Sequence, residues 1–117
     1  MQEILRKIVT NTPGAKGVIL MGFDGIAIDQ VTAEGEDLDI ESMAMEFSFR
    51  FIELRQAARS LEMGELTDIA IKAEHGTFLV RVISEEFFVA LLLEHAGQFG
   101  KGRWLLRSTA NDLRATL

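Results

Sequence analysis

The sequence predicts an α/β (α+β) fold, a five-stranded antiparallel sheet with helices on both faces. Five short segments have strand character, and tight turns join three pairs of them. Residues 18–21 and 87–93 are apolar at consecutive positions, so they belong in the centre of a sheet covered on both sides. Residues 26–31 and 66–74 carry charges on one face and belong towards the edges. With strands numbered in chain order, the order is 2-1-5-4-3, flanked by three helices in the sequence α-β-β-α-β-β-β-α. Residues 1–117 read as one domain, with no repeat, linker or low-complexity tract.

Each element has a local reason. Ile4, Leu5, Ile8 and Val9 fall on one side of a short helix over residues 2–10, and Pro13, Gly14 and Gly17 stop it and turn the chain. Asp24-Gly25 joins the first two strands, because this dipeptide fits the positive dihedrals of a tight hairpin. In residues 66–74, Ile69 and Ile71 lie on one face, with Asp68 and Lys72 on the other. His75-Gly76 and Ser84-Glu85-Glu86 turn the chain into residues 77–84 and 87–94. A glycine-rich link then leads to a last helix from about Arg103, with Leu106, Ala110, Leu113 and Leu117 as its inner stripe.

Residues 42–54, SMAMEFSFRFIEL, fit two periods. Met43, Met45, Phe47, Phe49 and Phe51 alternate as in a strand, yet the neighbours are good helix formers. Over residues 39–61, Ile40, Met43, Phe47, Phe51, Leu54, Ala58 and Leu61 form one stripe at helical spacing. Asp37 or Asp39 caps the start, and Gly64 suits the residue just past the end. The segment is therefore a helix with two apolar faces. Met45, Phe49 and Ile52 oppose the inner stripe. Exposing three such side chains forgoes about 1.5–3 kcal/mol each, so a contiguous row marks either a contact with another chain, the favoured reading, or a surface that a loop of this chain folds over. Arg50, Arg55 and Arg59 flank this helix. Their ordinary role is pairing with Glu53, Glu62 or a partner subunit, although an arginine inserted into a GTPase site stabilises transition-state charge.

Composition narrows the function. The 117 residues include no cysteine and only two histidines, which excludes disulfides and thiolate metal sites. No signal peptide or membrane span is expected, so the expected location is cytoplasmic. A net charge of −6 argues against general nucleic-acid binding. The charge is uneven: residues 34–46 hold Glu34, Glu36, Asp37, Asp39, Glu41 and Glu46 without a Lys or Arg, whereas Lys101, Arg103, Arg107 and Arg114 face only Asp112. Either patch is a solvated surface or steers a charged partner.

No catalytic, cofactor or metal site emerges. GQFGKG has the wrong spacing for a phosphate-binding loop, with Gly102 where Ser or Thr is required. EGEDLDIE does not follow calcium-ligand spacing. His75 and His95 lack an evident nucleophile, and Glu85-Glu86 read as a solvated turn.

The element order, together with PGAKGVILMGFDGIAI at the first hairpin and FGKGRWLLRSTANDL at the last helix, resembles the Roadblock (dynein light chain) family over essentially the whole chain. The resemblance implies a homodimer or heterodimer that pairs third strands, here Thr67, Ile69, Ile71 and Ala73, and long second helices. It also implies binding to small Ras-like GTPases, with the paired helices in the docking surface. One group, the regulators of mutual gliding-motility GTPases, stimulates hydrolysis as a dimer. No role carried by a tail beyond Leu117 is expected. The expected function is a dimeric, non-enzymatic regulator or scaffold that modulates a GTPase's hydrolysis or localisation. The alternatives are a structural adaptor without GTPase contact and a small-molecule sensor.

Overall fold

A computed structural model describes all residues, 1–117. The chain forms helix α1 (Gln2–Asn11), strands β1 (Ala15–Gly22) and β2 (Ala27–Thr32), and helix α2 (Ile40–Ser60). Strands β3 (Asp68–Ala73), β4 (Gly76–Val82) and β5 (Phe87–Leu93) and helix α3 (Phe99–Ala115) follow. The sheet is antiparallel with order β2-β1-β5-β4-β3, as the hairpin connections predict. The last helix begins at Phe99, four residues before its expected start, within the glycine-rich link. Gly102 lies buried there, where a Cβ would come 2.9 Å from Leu91 Cδ2, so its missing side chain lets α3 lie close to β5.

The central strands divide their side chains between two cores, as strand alternation dictates. Val18, Leu20, Val89 and Leu91 point to the α1 and α3 face, where they meet Leu5, Ile8, Leu106 and Leu113. Ile19, Met21, Phe88 and Ala90 point to the other face, covered by α2 alone. Beneath α2, Phe23, Phe51 and Phe88 form an aromatic group with ring centroids 5.1 and 5.3 Å apart.

One helix cannot cover that face. Five strands span roughly 20 Å, whereas a helix with its side chains is about 10 Å wide. Helix α2 lies over β1 and β2, leaving the β3 side uncovered.

The inward stripe of α2 differs from the expected one. Ile40, Ala44, Ser48, Phe51 and Arg55 are buried, Met43, Phe47 and Ala58 are half-buried, and Leu54 and Leu61 are exposed. The helix is thus rotated by roughly 60° from the hydrophobicity-based stripe. Small side chains at 44 and 48 let its backbone approach the sheet, and the Ser48 hydroxyl donates to the Met45 carbonyl at 2.7 Å. Leu117, expected inside, is exposed because α3 ends at Ala115.

The helix ends behave locally as expected, with one exception. Asp39 caps α2, accepting the Ser42 backbone N–H at 3.1 Å and its hydroxyl at 2.7 Å. At the far end the left-handed residue closest to the helix is Glu62 (φ 60°), before Gly64 is reached. Its neighbour Met63 donates to the Ala58 carbonyl at 2.9 Å, closing the helix in a Schellman-like turn.

Candidate functional site

The candidate interface has two parts, either side of α2. On the outward face of the helix, Met45 and Phe49 are 41% and 58% exposed. They lie on the side towards the first hairpin: a Cβ on Gly25 would sit 3.5 Å from Met45 Cγ. Ile52, expected in the same row, is half-buried against the core beneath α2. The row is therefore a pair with a partly covered third member.

The three arginines separate. Arg55 is only 7% exposed. Its guanidinium stacks 3.7 Å from the Phe23 ring centroid, and it donates to the carbonyls of Glu85 at 2.7 Å and Ser84 at 3.3 Å. It is a strut within its own subunit. Arg59 is bonded to Glu65 and Glu85, which holds the Glu65 carboxyl below its usual range and raises the guanidinium's own pKa. Arg50, paired with Glu46 at 3.5 Å, is the most available of the three.

On the other side of α2 lies the uncovered strip of sheet. Ile69, Ile71 and Ala73 alternate towards the α2 face of β3, with Ile69 and Ile71 half-buried and Ala73 exposed. Between β3 and α2 is a cleft of about 460 Å³, whose walls include Leu38, Met43, Phe47, Ile71, Phe78 and Leu92. Exposed Leu54 (47%) and Leu61 (71%) continue the apolar character along that flank of the helix. Thr67 stands just before β3, where its carbonyl accepts from the Val82 N–H at 2.9 Å. The sequence reading missed the Leu54 and Leu61 flank because it assigned both residues to the core.

Edge strand β3 pairs with β4 in unbroken register from Asp68↔Arg81 to Ala73↔Gly76, and its other side has no strand. At the opposite edge, the β1–β2 register shifts at Leu20/Met21, and Gln2 of α1 donates to the Gln30 carbonyl at 3.1 Å and bonds the Asp29 side chain. Bulges and covering side chains blunt an edge, so β3 is the edge left fit for pairing.

This architecture has close relatives among solved structures. MglC from Myxococcus xanthus is 33% identical, with a TM-score of 0.73 over 99% of this chain and 98% of that one. The chain belongs to the Roadblock/LC7 family. A Roadblock/LC7 domain from Streptomyces avermitilis has a TM-score of 0.86 at 13% identity, covering 99% and 96% of the two chains. The gliding protein MglB from Thermus thermophilus gives 0.87 at 16% identity, covering 97% and 85%; these two likenesses concern the fold. No protein-family model and no curated protein matches the chain. No helix is long and apolar enough to cross a membrane.

Proposed function

We propose that this Roadblock chain is a non-enzymatic regulator that associates with a second Roadblock chain through β3 and binds a small Ras-like GTPase on the outward face of α2. The observation that carries the reading is the unblocked, regular β3 edge lying beside an apolar cleft that α2 does not cover. Antiparallel addition of a second β3 satisfies the unpaired backbone groups. It also brings a second α2 towards the cleft and the Leu54 and Leu61 flank, removing apolar surface from water. Self-association has a precedent in an MglB structure with a tetrameric arrangement.

Met45, Phe49 and Arg50 then serve the second partner, because they lie away from β3. Their exposed apolar pair and adjacent cation fit the anatomy of a binding hot spot. Arg55 and Arg59 support this surface from behind by fixing α2 to the turn between β4 and β5. The GTPase arm is tested by measuring the affinity of purified Met45→Asp and Phe49→Asp for a GTP-loaded and a GDP-loaded Ras-like GTPase from the same cell. Each substitution is expected to weaken binding by about 30-fold or more while the solution mass stays that of the native protein. Binding unchanged in both variants contradicts the assignment of this face.

A further inference from the structure

The opposite face of the β3–β4 hairpin carries a second cleft of different chemistry. It is about 540 Å³, between α3 and the two strands, and its walls include Asp68, Leu79, Arg81, Phe99, Arg103 and Arg107. Local geometry builds it. The register sets Arg81 directly opposite Asp68, while Phe99, Arg103 and Arg107 recur every four residues along one side of α3.

Within this cleft three guanidinium groups face one carboxylate, and that carboxylate is already committed. Asp68 Oδ2 accepts the Arg103 Nε–H at 3.0 Å and lies 3.0 Å from its Nη2 in an ion pair, and its Oδ1 accepts the Thr67 hydroxyl at 3.0 Å. Arg81 stands across the strand from Asp68 but forms no ion pair with it, and its buried Nε has no hydrogen-bond partner. An arginine stays charged at any physiological pH, and a buried charged donor without an acceptor is costly. The Lys72 ammonium, 3.8 Å from the Phe99 ring centroid, adds another positive charge close by. This local excess of cations stands in a chain of net charge −6.

We propose that this cleft binds the phosphate group of a small organic phosphate. Planar guanidinium forks match phosphate oxygens in pairs, and Arg81 and Arg107 are the forks without a carboxylate partner. The volume falls within the range of small-molecule sites and exceeds the needs of a bare phosphate. Leu79 and Phe99 supply apolar wall for the organic part. The proposal does not rest on GTPase binding, and in-plane addition of a strand to β3 leaves this face of the hairpin open.

Calorimetric titration of the full chain with phenyl phosphate tests it, with inorganic phosphate and phenol as parallel probes. Phenyl phosphate is expected to bind saturably at one site per chain, and phenol not at all. Arg81→Gln is expected to weaken binding by about tenfold or more, and Arg107→Gln, at an exposed position that the fold tolerates, by a smaller factor. Arg81→Lys keeps the charge without the fork and is expected to bind less tightly than the native chain. Arg6→Gln, on α1, leaves the affinity unchanged. Inorganic phosphate binding as tightly as phenyl phosphate supports the oxyanion site and assigns it to the free anion. No saturation by either phosphate up to about 10 mM, or equal affinity in both glutamine variants, overturns the proposal.

Discussion

At one edge of the sheet, β2 is interrupted by a bulge and its Gln30 carbonyl accepts from Gln2 of α1. At the other edge, β3 runs in unbroken register with nothing laid along its outer side. Helix α2 follows the same asymmetry, lying over β1 and β2 and leaving an apolar cleft beside β3. Both edges are six-residue strands, so length does not distinguish them. The difference lies in what other elements do to the edge: a bulge and a borrowed side chain discourage a new strand, whereas an even ladder beside uncovered apolar surface invites one.

The largest expected effect comes from loosening the anchor that ties α2 to Phe23 and to the turn between β4 and β5. Arg55→Ala removes two charge-assisted bonds and the stacking on Phe23, and is expected to lower unfolding stability by about 2–4 kcal/mol in urea titration. A loss below about 0.5 kcal/mol would mean that α2 is fixed by its apolar contacts alone. Gln2→Ala probes the blunted edge. It is expected to cost about 0.5–1 kcal/mol in thermal unfolding, with no new association through β2 because the bulge remains. New concentration-dependent association would show that Gln2, more than the bulge, protects that edge.

The smallest effect concerns pH at the two ends of the stretch between the sheet edges. Hydrogen bonds from Ser42 lower the Asp39 pKa, and those from Arg59 lower that of Glu65, just before β3. A lowered folded-state pKa contributes stability that is complete above the unfolded value, near 4, and disappears as pH falls through the folded value. Thermal stability is therefore expected to decline below about pH 4, with a shallower decline in the Asp39→Asn, Glu65→Gln double variant. An identical acid decline in that variant would place the responsible carboxylates elsewhere.

Much of the fold was readable because its signals are local. Asp24-Gly25 gives the first hairpin, and the consecutive apolar runs of β1 and β5 reveal strands covered on both faces. The facing of α2 was less legible. Hydrophobicity points Leu54 and Leu61 inward and Arg55 outward, and the structure reverses all three. Arg55 is buried because two carbonyls some thirty residues later accept its protons, and Phe23 receives its flat face. Such partners leave no trace in helical periodicity. Met45 and Phe49 stand out in the sequence as apolar residues off the main stripe, and both are exposed. Arg81 had no signal of its own, since only the β3–β4 register sets it beside an already occupied Asp68.

Solution mass, measured by light scattering on the native chain, Ile71→Lys and Ile28→Lys, tests the difference between the edges most directly. Lysine at 71 puts a charge into the cleft beside β3, where its stem reaches water while the monomer stays folded. The expected result is the mass of two chains for the native protein and for Ile28→Lys, and of one chain for Ile71→Lys. A one-chain mass for the native protein, or dissociation by Ile28→Lys while Ile71→Lys stays paired, would contradict β3 as the pairing edge.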